Sequence, residues 1–102
     1  MWIQTQNKQR IINSDHVIDI FISNTGTRII ATITCNGPDA PGVVLGEYKD
    51  RDTCLKVLEH ISVGFGSKLP GIPMPFGEDV ETWADGIDKV AAIYIANEVV
   101  KF

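Results

Sequence analysis

H-V-I-D-I-F-I-S-N-T-G-T-R-I-I-A-T-I-T-C, His16 to Cys35, is the stretch whose reading decides the fold. On both sides of Asn24, Thr25 and Gly26, β-branched and aromatic residues alternate with polar ones, as a two-stranded antiparallel ribbon requires. The three central residues supply the backbone freedom of the reversal. Strand side chains alternate between faces, so Ile18, Ile20 and Ile22 share one side and Val17, Asp19 and Phe21 the other. The isoleucine side is the expected core. On the partner strand Ile29, Ala31, Ile33 and Cys35 form the expected core side, opposite Arg28, Ile30, Thr32 and Thr34. A hairpin alone is marginally stable in water, so further strands and a helical cover are expected around it.

Working outward toward the start, Trp2 to Gln6 reads as a strand with Ile3 and Thr5 on one side and Trp2, Gln4 and Gln6 on the other. Asn7 to Arg10 is a polar turn into a short strand, Ile11 to Asn13. After the hairpin, N-G-P-D-A-P-G at Asn36 to Gly42 reads as a loop, because its prolines and glycines cannot sustain a ladder. Val43 to Tyr48 is a further strand. The simplest sum is a five-stranded antiparallel meander over residues 1–48.

From Asp50 the hydrophobic period changes from two to 3.6. Asp50 is placed to cap a helix over residues 50–64. Cys54, Leu58 and Ile61, widened by Leu55 and Val57, give it one apolar stripe, and Gly64 is placed to end it. Such a helix packs across the open sheet face. Residues 65–77, rich in glycine and proline but carrying Phe65, Leu69, Ile72, Met74 and Phe76, read as a long loop of the kind that is usually functional or disordered. Residues 78–102 read as a C-terminal helix or helix pair: Glu78, Asp79 and Glu81 open it, Val80, Trp83, Ala84, Ile87, Val90, Ala91 and Tyr94 follow at helical spacing, Gly86 either kinks or divides it, and over residues 90–102 A-I-Y-I-A and V-V-K-F also alternate as a strand does. The expected fold class is α+β, in a single domain.

Composition narrows the function. Apolar residues at 44% and charged residues at 22% are ordinary globular values, and the net charge of −4 comes entirely from the last quarter, where residues 78–102 hold six acids and two bases. A nucleic-acid binder needs a clustered basic face, and no such cluster exists. The start lacks the apolar run of a signal peptide, and the longest apolar run, Val90 to Ala96, is too short for a membrane span. A cytoplasmic protein is expected. Cys35 and Cys54 make neither a disulfide framework nor a metal pair, and each is expected to be a small buried apolar residue. His16 and His60 have no ligand spacing between them, so no metal or cofactor is expected.

No GxSxG, Walker, HExxH or dinucleotide fingerprint is present, and the serines have no evident histidine partner, so a non-enzymatic role is expected. The one suggestive constellation is G-F-G-S-K, Gly64 to Lys68. Amides freed by glycine can form a concave nest for an anion, with Lys68 as counter-charge and Phe65 as a stacking surface. The expected ligand contacts are Phe65, Gly66, Ser67 and Lys68. Arg28 and Thr32, on the polar side of the hairpin, offer a second row that a phosphate-bearing ligand can use. The alternatives are a helix-terminating turn for the glycines and a solvated face for the hairpin row. Because the C-terminal segment is apolar on more than one side, homo-oligomerisation is also expected.

W-I-Q-T-Q-N-K-Q-R-I-I-N-S-D-H-V-I-D-I-F-I at Trp2 to Ile22 (ending in the strand Val17 to Ile22) and L-G-E-Y-K-D-R-D-T-C-L-K-V-L-E-H-I at Leu45 to Ile61 resemble a group of short proteins of Firmicutes and their phages. The resemblance covers about the first 60 residues and implies a small β-meander with a helix, in a phage or other mobile-element setting. It carries no assigned chemistry and no site residue. Taken with the glycine loop, it leads to the expectation of an oligomeric phage anti-defence sponge that sequesters an anionic, nucleotide-like host signalling molecule. The alternative from another class is a protein-interaction module that inhibits or adapts a host protein through the C-terminal helical segment.

Overall fold

Among the described residues six strands and two α-helices follow one another as β1 (Trp2–Gln4), β2 (Ile11–Asn13), β3 (Val17–Ile22), β4 (Arg28–Ile33), β5 (Gly42–Glu47), α1 (Arg51–Gly66), β6 (Gly71–Pro73) and α2 (Val80–Val100). The computed structural model describes residues 1–34 and 42–100, the last seven of these by backbone alone. The fold class is α+β, as the sequence implies. Cys35 and the loop expected from Asn36 onward lie outside the described residues as far as Pro41.

The strands form two three-stranded sheets, ordered β2–β1–β6 and β3–β4–β5, and not one five-stranded meander. The hairpin was legible: β3 and β4 pair antiparallel around a turn in which Gly26 takes φ 79° and its N–H donates to Ser23 O at 2.8 Å. The first strands also pair as expected, Ile3 opposite Ile12, but their sheet is completed by β6, which runs parallel to β1 with Ile3 opposite Ile72. A parallel partner needs a long crossover, and here the whole stretch from β2 through α1 supplies it. The sequence of β6 reads as loop because it lies among glycines and prolines. It is tolerated at the sheet edge, where Pro73 ends the strand and its carbonyl accepts from Trp83 Nε1 at 2.7 Å.

Gln6 fastens one sheet to the other. Its N–H donates to Leu45 O at 2.8 Å, its side-chain oxygen accepts from Glu47 N at 3.0 Å, and its amide nitrogen donates to Glu47 O at 3.1 Å. A smaller apolar cluster of Leu69, Ile72 and Ile87 lies beside α2, and the larger of the two among the described residues joins both sheets to α1. Ile3, Ile29, Leu45, Cys54 and Val57 are each fully buried there, and burying a large aliphatic side chain stabilises by about 1.5–3 kcal/mol. Cys54 is thus the small buried residue that was expected.

Helix α1 begins as its sequence dictates. The Asp50 carboxylate accepts from Thr53 N at 2.8 Å and from Thr53 Oγ1 at 2.7 Å, which fills an otherwise unpaired amide of the first turn. Its buried stripe is Cys54, Val57, His60, Ile61 and Gly64, whereas Leu55 is exposed. Gly64 does not end the helix. It lies buried against Ile72, so close that a Cβ there would collide with Ile72 Cδ1 and touch Leu69; the residue is small to admit β6. Helix α2 runs unbroken through Gly86, burying Val80, Ala84, Ile87 and Ala91. Among the described residues no helix is long and apolar enough to cross a membrane.

Candidate functional site

The pairing of β3 with β4 is regular from Ile22↔Ile29 to Asp19↔Thr32 and then slips, so that Val17 pairs with Ile33 and Ile18 has no partner. This bulge overturns the simple alternation read from the sequence. Val17, Ile20 and Ile22 pack against the core, whereas Ile18 is 59% exposed. A bulge re-aims side chains beside it, and here it turns Val17 to Ile20 into one wall of a groove. The other wall is α1, whose Leu58, Ile61, Ser62 and Phe65 recur at helical spacing. Ser14 also lines it, and the volume is about 410 Å³, within the range of ligand sites.

The walls are mostly apolar. The polar residues that line the groove are Ser14, Asp19 and Ser62, and among the described residues no Lys, Arg or His lines it. Beside it, β3 is the terminal strand of its sheet and, among the described residues, pairs only with β4. Ser23 N–H donates to Arg28 O at 2.9 Å, which fixes the phase of the ladder. Antiparallel alternation then turns the amides and carbonyls of Ile20 and Ile22 outward, away from β4. An apolar groove thus adjoins a row of unpaired backbone donors and acceptors.

The six residues singled out in the sequence fall in three places. Phe65, 41% exposed, lines the groove. Gly66 is the last residue of α1, Ser67 is its C-cap, and Lys68 sits in the left-handed region at φ 58°. The amides expected to cradle an anion are already spent: Ser67 N–H donates to Val63 O at 2.9 Å, Lys68 N–H to Phe65 O at 3.2 Å and Leu69 N–H to Gly64 O at 3.1 Å. This is the negative end of a helix, where the Lys68 charge is favourable and an anion is not.

Arg28 and Thr32 lie on the outer side of β4, separated by Ile30. Arg28 Nε meets Glu47 Oε1 at 3.4 Å, and Thr32 stands opposite Asp19 and Gly42. Ile30 joins Phe21 and Val44 in a cross-strand apolar row, so the polar row read from alternation is interrupted. Nothing in the geometry joins this face to Lys68 as one site.

His60 is one residue whose environment the sequence did not disclose. It is buried, with Nδ1 2.9 Å from Lys56 O and Nε2 3.2 Å from Asp88 Oδ2 on α2, and its ring lies 6.0 Å from that of Trp83. Burial favours the neutral ring, but the Lys56 carbonyl and the Asp88 carboxylate outweigh it and hold the pKa above the ordinary histidine value. Among the described residues no three His, Cys, Asp or Glu side chains are placed to hold a metal ion. No family model matches the chain, and no curated protein and no solved structure is significantly similar to it.

Proposed function

We propose that this chain is a non-enzymatic interaction module that takes up an extended segment of a partner protein along β3. The observation that carries the reading is the juxtaposition of an unpaired sheet edge with an apolar groove. An added strand gains main-chain hydrogen bonds from Ile20 and Ile22, while alternate side chains enter the groove over Leu58, Ile61 and Phe65. Asp19, an acid among the lining residues, favours a segment that carries a Lys or Arg beside its apolar residues. This is the interaction-module reading moved from the C-terminal helix to the β3 edge. In the phage setting that the sequence resemblance implies, the partner is a host protein.

Sequestration of an anionic nucleotide has weaker support, because among the described residues an acid and no cation lines the groove. The experiment treats the two together. Displayed peptides of roughly 10 residues, a long strand's length, are selected on the protein and their binding is measured by calorimetry for the wild type, Ile18→Asp and Phe65→Asp. In parallel, linear and cyclic nucleotides are screened by thermal shift, with recovery of any ligand after heat denaturation. Apolar, basic peptides that bind the wild type and lose affinity in both variants support the module. A nucleotide that shifts the melting point and returns intact supports sequestration instead.

A further inference from the structure

Helix α2 carries a second apolar stripe beside the buried one. Trp83, Gly86, Val90 and Ile93 follow at alternating spacings of three and four. The next position of the series is the polar Asn97, so the apolar part of the stripe spans residues 83–93. Such a spacing is the seam of paired helices. Glu81 and Asp88, which reach Lys56 and His60 on α1, fall on the other side of the helix, so α1 meets the stripe only at Trp83, whose ring lies 6.0 Å from that of His60, and leaves Val90 and Ile93 open. Val90 is 39% exposed and Ile93 60%. Between this stripe and β6 runs a groove of about 400 Å³, floored by Ile72 and Ile87 and bounded by Pro73, Trp83, Gly86 and Val90.

Among the described residues nothing accounts for Gly86. A Cβ built on it would meet nothing within 4 Å, its φ is not in the left-handed region, and glycine is the costliest ordinary residue in a helix interior after proline. What its missing side chain provides is a notch in the stripe, one turn before the exposed ridge of Val90.

We infer that this stripe is the docking surface for a second copy of the chain, with the two α2 helices antiparallel and Val90 of each copy seated over Gly86 of the other. Notch and ridge lie on one helix four residues apart, so a two-fold axis between them satisfies both at once, as a closed isologous pair requires. The same axis sets Trp83 of each copy opposite Ile93 of the other, which pairs the two ends of the stripe. A parallel pair sets Gly86 against Gly86 and leaves the notch unfilled. Charge selects the same orientation. Glu78, Asp79 and Glu81 open the helix, and a parallel pair brings the two acidic clusters together. An antiparallel pair in this register sets the two helix starts about 24 Å apart along the axis, roughly three Debye lengths at physiological salt. Neither the β3 edge nor its groove takes part.

The test is sedimentation of the full chain from about 1 to 200 µM, around the affinity expected of a modest interface. The mass rises with concentration from the 11.2 kDa chain to twice that value. Gly86→Glu and Val90→Lys each weaken self-association about tenfold or more, which is about 1.4 kcal/mol, with the circular dichroism spectrum unchanged. The double variant recovers it, because each new lysine then faces the partner's new carboxylate. A monomer at the highest concentration, or a dimer that survives both single substitutions, overturns the assignment. Loss in both single variants without recovery in the double overturns the antiparallel register.

Discussion

His60 Nε2 lies 3.2 Å from Asp88 Oδ2 and so ties the middle of α1 to the middle of α2. The other ring nitrogen faces the Lys56 carbonyl at 2.9 Å. Both neighbours are acceptors, so both nitrogens are satisfied at once only when both carry a proton, which is the cationic form.

A pH dependence follows from that contact. The folded-state pKa of His60 is raised above its unfolded value, so its contribution to stability is fully present below the unfolded value and is lost as pH rises through the folded one. Because the Asp88 side chain is 58% exposed, solvent screening holds the effect to roughly 1 kcal/mol or less. The melting temperature is expected to fall between about pH 6 and pH 8, the range spanning the ordinary histidine value, and Asp88→Asn should flatten the fall. NMR titration of the His60 ring provides the check: a midpoint at or below that of a free histidine contradicts the assignment.

Gly46 and Tyr48 form a coupled pair. A Cβ on Gly46 would stand 2.8 Å from the Tyr48 hydroxyl, and that hydroxyl donates to Pro75 O at 2.8 Å. Burial pushes the phenol well above its ordinary pKa, so it remains a donor throughout the accessible pH range. Tyr48→Phe should cost about 1 kcal/mol, because Gln6 Nε2 still serves the Pro75 carbonyl at 2.9 Å. Gly46→Ala should cost about 1–3 kcal/mol by overpacking. Urea unfolding of the single and double variants tests the coupling, since Gly46→Ala should cost much less once Tyr48 is replaced by Leu. Equal costs in the two backgrounds contradict it.

Lys68 occupies the left-handed conformation that follows a helix, a place where glycine carries no steric penalty. Lys68→Gly should therefore leave the fold intact and, after the added flexibility of the unfolded chain is counted, raise stability by roughly 0.5–1 kcal/mol. Thermal unfolding checks it, and a clear loss of stability shows that the lysine side chain makes a contact that outweighs its backbone strain.

The hairpin, the cap at Asp50 and the burial of Cys54, Val57 and Ile61 on α1 were legible because each follows from local periodicity or a single side chain. The bulge at Ile18 was not, because alternation assumes an unbroken register and one extra residue exchanges the faces beyond it. β6 was hidden for a different reason. Its three residues gain their order from β1, some 69 positions away (Trp2 to Gly71), and no local pattern carries that information. Gly64 was misread as a terminator because sequence does not separate a glycine required by φ from one required by a neighbour such as Ile72. Of the expected ligand residues only Phe65 reached the groove, since the groove is assembled from the bulge and α1 together.

The β3 edge is tested most directly by hydrogen exchange on the protein with and without a selected peptide at saturation. The account predicts slowed exchange at the outward amides of Ile20 and Ile22, with little change at Phe21, whose amide already faces β4. Binding that leaves Ile20 and Ile22 exchanging at their original rates contradicts it.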